Sequence, residues 1–156
     1  REGERERFDA RSVIAGCVSG YAGIYPACRF ELTTADEPIF LNGAPDLFAQ
    51  MLDKLAANAA EFSRGNEPVE ISFARAGDEA TLTFANSGPL LPAGMQGRLF
   101  ESMVSMRTAS RPGEPHLGLG LYIVRLIAEF HGGRVAAANR PDGSGVAFEL
   151  CFPVAH

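Results

Sequence analysis

Leu117-Gly118-Leu119-Gly120-Leu121-Tyr122-Ile123-Val124-Arg125-Leu126-Ile127-Ala128-Glu129-Phe130-His131-Gly132-Gly133 is the stretch from which the rest of the chain is read. Two glycines open an apolar run, and Leu121, Tyr122, Ile123, Val124, Leu126, Ile127 and Phe130 predict a helix that stops at Gly132-Gly133. Free backbone N–H groups at such a start, together with the positive end of the helix dipole, attract phosphate. The pair Gly118 and Gly120 is weak as a signal on its own. A Rossmann fingerprint needs Gly at position 123, where Ile123 stands, and a P-loop needs Gly-Lys-Ser/Thr, which is absent. Both common nucleotide folds are therefore disfavoured. His131, ahead of two glycines, reads most simply as a C-terminal cap.

Downstream, residues 134–139 and 146–152 predict two strands joined by the turn Pro141-Asp142-Gly143-Ser144-Gly145. Upstream, residues 46–63 carry Leu47, Phe48, Met51, Leu52, Leu55, Ala59 and Phe62 at helical spacing, with Pro45 before and Gly65 after. Gln50, Lys54, Asn58 and Glu61 recur at intervals of 4, 4 and 3 and share a second, polar face of that helix. Residues 69–75 and 79–85 alternate around Ala76-Gly77-Asp78 and predict a hairpin. Asn86-Ser87-Gly88-Pro89-Leu90-Leu91-Pro92 is a turn-rich loop, followed by a short helical piece expected at 95–100. Residues 102–116, with Pro112 and Pro115, predict a long loop of the kind that often serves as a lid. Near the start, 29–33 and 38–42 predict strands around Ala35-Asp36-Glu37. Residues 1–28 read as the tail of an upstream helix and a linker.

The 156 residues carry 14 Lys plus Arg against 19 Asp plus Glu, a formal charge of -5. Hydrophobic residues make up 46% and charged residues 21%, which predicts one packed globular domain. The acid excess argues against a nucleic-acid binder, whose affinity rests on phosphate neutralisation. Cys17, Cys28 and Cys151 lack CxxC spacing and a nearby His pair, so neither a disulfide scaffold nor a zinc site is supported. No apolar run reaches the roughly 18 to 20 residues that span a bilayer. A start at Arg1-Glu2-Gly3-Glu4 without Met predicts a piece of a longer protein.

Four segments stand in a telling order: Leu52-Asp53-Lys54-Leu55-Ala56-Ala57-Asn58-Ala59 on a helix, Asn86-Ser87-Gly88-Pro89 after a strand, Leu99-Phe100-Glu101, and Gly118-Leu119-Gly120-Leu121 before a helix. They resemble the N, G1, F and G2 boxes of the catalytic, ATP-binding (HATPase_c, GHKL) domain of sensor histidine kinases, which has the Bergerat fold. The resemblance covers roughly 30–154 and is strongest from Leu117 to Phe152. The Asp53-Lys54-Leu55 N box combined with Asn86-Ser87-Gly88-Pro89 is further similar to the kinases of dedicated sortase systems in proteobacteria.

The resemblance implies an α/β (α+β) two-layer sandwich, a mixed sheet covered on one face by helices. Residues 1–28 would end an upstream dimerisation helix and linker, and 29–156 would form the catalytic domain. The cofactors implied are ATP and Mg²⁺. Asn58 aligns with the Asn that ligates Mg²⁺, a cation that favours oxygen donors and few protein ligands. Asn86 aligns with the Asp that accepts from the adenine amino group. Its Oδ1 still accepts, without the charge. Gly88 lets the base approach, and Leu91 falls among the nucleotide-contacting positions. Gly118, Leu119, Gly120 and Leu121 frame the phosphates. Arg107 and Arg111, in the lid, reach phosphates or a partner, or stand in solvent.

None of His116, His131 and His156 lies in a His-Glu/Asp-Leu-Arg-x-Pro pattern, so the phosphoacceptor histidine is expected outside this chain. The partners implied are the protein's own dimerisation and phosphotransfer domain and a response regulator. The whole is expected to be a membrane-anchored homodimer with this domain on the cytoplasmic side of an inner membrane.

Besides Asn86, five positions depart from the family pattern. Lys54 replaces an Asn, or the Glu general base of related hydrolysing ATPases, a role that a charged Lys cannot take. It either pairs with phosphate or stands in solvent. Glu61 stands where a Lys is common, and it repels phosphate unless Lys54 offsets it. Leu90, His116 and Val146 replace two glycines and an adenine-reading Thr. Two other readings share the fold: a non-catalytic interaction module that has lost nucleotide binding, and an anti-sigma serine kinase.

Overall fold

The computed structural model describes residues 4–63, 66–92, 100–101 and 118–156, with Gly118 and Leu119 as helix backbone only. The expected lid at 102–116, with Arg107, Arg111 and His116, lies outside the described residues, as does the helical piece expected at 95–100 apart from Phe100. In chain order the elements are β1 (Glu6–Asp9), α1 (Ala10–Ile24), β2 (Phe30–Thr34), β3 (Phe40–Gly43), α2 (Pro45–Phe62), β4 (Val69–Ala76), β5 (Glu79–Ser87), α3 (Gly118–Phe130), β6 (Arg134–Asn139) and β7 (Gly145–Pro153).

Alternation along the strands builds a sheet with one dry face. Val69, Ile71 and Phe73 of β4 are buried, and so are Ala80, Leu82 and Phe84 of β5, while Glu70 and Ala74 face solvent. β4 and β5 form the expected hairpin, which turns at Gly77 with φ +65. The five-stranded sheet has the order β2-β4-β5-β7-β6. Its β2–β4 pair is parallel and the others are antiparallel, so the sheet is mixed as expected. Residues 29–33 and 38–42 do not pair with each other, because β3 joins β1 in a separate two-stranded ribbon.

The dry face is covered by helices. α2 lies between α1 and α3 and packs on β5, with α1 on β2 and α3 on β6. α2 begins with Pro at its first turn, where a missing N–H costs nothing, and Asp46 meets the positive helix end. Phe48, Met51, Leu52, Leu55, Ala56 and Ala59 form its buried face.

Residues 6–24 differ from the expectation of an upstream helix tail and a linker. Glu6–Asp9 pairs antiparallel with Phe40–Gly43, and Ala10, Ile14 and Tyr21 are buried in the same core as Leu52 and Leu55. Asp9 Oδ1 accepts from Ser12 N at 3.3 Å, capping α1, and from Ile39 N at 3.2 Å, tying the helix start to β3. The buried side of this segment packs on the core of the domain.

Candidate functional site

The end of β5 places the base-reading candidate. Phe84 and Ala85 are buried, and Asn86, only 4% exposed, pairs with Val146 across the sheet while Ser87 pairs with Gly145. Asn86 Nδ2 donates to Ser87 O at 3.1 Å, an arrangement that leaves Oδ1 as the amide's acceptor. Nothing larger than glycine fits at 145: a Cβ there would stand 1.9 Å from Asn86 O and 2.7 Å from Ser87 Cα. Gly88, at φ +150, donates to Ser144 O at 3.0 Å. Leu91 is partly buried against the core, and its backbone is held by Asn139, whose Oδ1 accepts from Leu91 N at 2.7 Å and whose Nδ2 donates to Leu91 O at 3.3 Å. Phe100 is buried with its ring edge-on to Phe148, centroids 5.9 Å apart.

The polar face of α2 stands as its spacing predicts. Gln50, Lys54 and Glu61 are exposed and Asn58 is half-buried. The start of α3 lies alongside: a Cβ on Gly120 would come within 3.9 Å of Lys54 Cδ, so the lysine stem passes over the first turn of that helix. Leu121, Val124, Ile127 and Ala128 bury the other side of α3. Among the described residues, no hydrogen bond or ion pair engages the Asn58 amide or the Lys54 ammonium. Next to them, Asp53 accepts from the Tyr21 hydroxyl at 3.0 Å. Burial, then the Asp53 charge, pushes the pKa of that hydroxyl far above the ordinary tyrosine range, so it remains a donor.

Asn58 offers an uncommitted carbonyl oxygen on a half-solvated face, which suits a hard cation completed by phosphate oxygens and water. Among the described residues no three His, Cys, Asp or Glu side chains cluster as a metal cage. The structure thus brings Lys54 beside Gly120 on adjacent helices, and sets Asn86 at the end of β5 with Gly88 and Leu91 in the loop that follows.

Three residues of the site region escaped the sequence reading or exceeded it. Asn139 and Gly145 gave no local signal beyond the strand end and a turn glycine. His131 is more than a cap. Gly132, at φ +78, and Gly133 close α3 with Gly132 N donating to Glu129 O and Gly133 N to Ala128 O, a Schellman ending. The imidazole then crosses to α2. Its Nε2 accepts from Ala44 N at 3.1 Å, at a helix start whose own side chain provides no cap, and Nδ1 donates to Ile127 O at 2.8 Å. Phe8, Phe48, Phe130 and Phe152 surround the ring. Gly43 leaves room for it, since a Cβ there would stand 1.9 Å from His131 Cδ2.

Burial lowers the pKa of His131 below the usual histidine value. The unfolded chain takes up a proton near pH 6.5 that the folded one refuses. The contribution of His131 is therefore complete above about pH 6.5 and declines as pH falls below it towards the lowered folded value. Urea midpoints measured from pH 7.5 to 5 should fall, and His131→Gln should flatten that fall. An equal slope in the variant would assign it to other groups.

Residues 43–156 match a family model described as histidine kinase-, DNA gyrase B-, and HSP90-like ATPase. The sensor protein CutS of Streptomyces coelicolor is 31% identical over 152 residues, which cover 97% of this chain and 36% of that protein. The sensor protein KdpD of Escherichia coli is 33% identical over 107 residues, covering 69% and 12% respectively. The chain thus spans about a third of CutS and less of KdpD. In fold, the mycobacterial sensor histidine kinase MprB matches with a TM-score of 0.81 at 22% identity, over 97% of this chain and 98% of that one. The nucleotide-free catalytic domain of the histidine kinase ThkA matches with a TM-score of 0.79 at 25% identity, over 96% and 95%.

Proposed function

Because the chain belongs to the histidine kinase-, DNA gyrase B- and HSP90-like ATPase family, as a catalytic ATP-binding domain of the histidine kinase type, we propose that it binds Mg·ATP between α2, α3 and the β5 loop. Within the longer protein it hands the γ-phosphoryl group to a histidine on a dimerisation helix, and a response regulator then takes the group onto an Asp. The observation that carries the reading is the packing of the two helices: Lys54 Cδ stands 3.9 Å from the place a Cβ on Gly120 would take, at the phosphate-attracting start of α3 and one turn from Asn58.

Each residue has a role that its surroundings permit. Asn86 Oδ1 accepts from the exocyclic amino group of adenine. Gly88 and Leu91 line the base. The backbone of Gly118, Leu119, Gly120 and Leu121 faces the phosphates. Asn58 holds Mg²⁺ through its carbonyl oxygen, and the metal supplies charge neutralisation of the phosphates. Lys54 adds a positive charge beside them and offsets the exposed Glu61 two turns on. With a lysine in place of a general base, water is poorly activated, so hydrolysis stays slow and the γ-phosphoryl is kept for its protein acceptor. The protein contributes chiefly by positioning.

Calorimetric titration of the domain with ADP in the presence of Mg²⁺ tests the reading. Saturable binding in the micromolar to millimolar range is expected. No heat and no thermal shift at millimolar nucleotide, on folded protein, would overturn it in favour of an interaction module.

A further inference from the structure

The residues that pair across the sheet at its nucleotide end form one row. Asn86 of β5 stands opposite Val146 of β7, and Val146 opposite Asn139 of β6. Residues directly opposite each other point to the same face, so Asn139 lies on the side of the sheet that carries Asn86, two strand spacings away, about 10 Å. The loop that leaves β5 arcs over the end of β7 and comes down on this third strand. It is fastened twice, in the middle where Gly88 N donates to Ser144 O, and at its far end where Asn139 grips both backbone groups of Leu91. Ser144 is itself fixed, its N–H and hydroxyl both donating to Asp142 Oδ1 at 3.0 and 2.6 Å.

We propose that Asn139 is a positioning residue for nucleotide: it holds the loop 87–91, through the backbone of Leu91, in the shape that presents Asn86 and Leu91 to the base. The inference rests on the nucleotide-binding reading above and adds a determinant of affinity that does not touch the ligand. A carboxamide suits the task because one side chain accepts from an N–H and donates to a C=O of the same residue, as a neighbouring strand would. The loop needs such a hold. It carries Gly88 and Pro89, has no ladder partner beyond Ser87, and exposes Leu90 at 48%. Without the clamp, nucleotide has to order the loop as it binds, and that cost appears as lost affinity.

The test compares wild type, Asn139→Ala and Asn139→Asp for Mg·ADP affinity by calorimetry, for thermal unfolding without nucleotide, and for hydrogen exchange at the Leu91 amide. Asn139→Ala is expected to weaken ADP binding about ten-fold, the size one net hydrogen bond supplies. Its nucleotide-free unfolding midpoint should stay within a few degrees of wild type and its Leu91 amide should exchange faster. Asn139→Asp keeps the acceptor for Leu91 N and loses the donor, so its affinity should fall between the two. Unchanged ADP affinity in Asn139→Ala would overturn the inference. So would an affinity loss matched by a collapse of the unfolding midpoint in both variants, which would make the residue merely structural. If Asn139→Ala does not fold, Asn139→Asp decides alone, and wild-type affinity in it counts against the proposal. No ADP binding by wild type overturns the nucleotide reading and the inference together, whereas binding by wild type with no change in the variants overturns the inference only.

Discussion

Asn58→Ala should reduce phosphoryl transfer to the acceptor histidine by about 100-fold or more in the longer protein, while the domain stays folded. Among the described residues the amide has no partner, so its removal breaks no bond among them, and alanine is the better helix former at an interior helix position. Its stability should therefore match or slightly exceed that of wild type. What disappears is the one protein oxygen assigned to Mg²⁺. ADP affinity measured with and without Mg²⁺ should differ in wild type and become the same in the variant. Asn58→Asp separates ligation from charge, since a carboxylate still ligates the cation but repels the phosphates. A variant that keeps full Mg²⁺ dependence and transfer rate would remove Asn58 from the site.

Gly145→Ala should cost about 2 to 3 kcal/mol of stability and weaken nucleotide binding at least ten-fold. The added Cβ would lie 1.9 Å from Asn86 O, 2.8 Å from Asn86 C and 2.7 Å from Ser87 Cα, all backbone atoms of the adjoining strand with no rotamer to yield. β5 and β7 would have to part at the end that carries Asn86, the proposed base acceptor. Gly143, two residues earlier, is the control. It has open space around it and φ +76, so alanine there brings only backbone strain of about 1 to 2 kcal/mol at a turn tip. Urea denaturation and ADP titration of both variants check the pair. Equal losses in binding would show that turn shape, not the close strand contact, controls the site.

Sequence patterns reached far in this chain where contacts are local. The 3.6-residue spacing of Phe48, Met51, Leu52, Leu55 and Ala59 marked α2 to within one residue of its start and end, alternation marked β4 and β5, and the turn Pro141–Gly145 marked the junction of β6 and β7. The polar face holding Lys54 and Asn58 followed from the same spacing. Residues 6–24 show where such patterns stop. Their helical signal is real, but whether Ile14 and Tyr21 face a partner helix or the core of this domain depends on the β1–β3 ribbon, whose strands lie more than 30 residues apart.

The order of apolar, turn and glycine residues by itself determined which segments are helices and strands, and which side chains share a helix face. Periodicity and capping act between residues a few positions apart, so they are written in the sequence. Only the tertiary structure decided that β2 lies parallel to β4, that His131 caps the start of α2 from 87 positions away, that Asn139 clamps Leu91 across 48, and that Gly145 has a strand backbone where a side chain would be. Those contacts depend on which surfaces the folded layers bring together. A chain carries no periodic mark for a partner that it meets only after its core has closed.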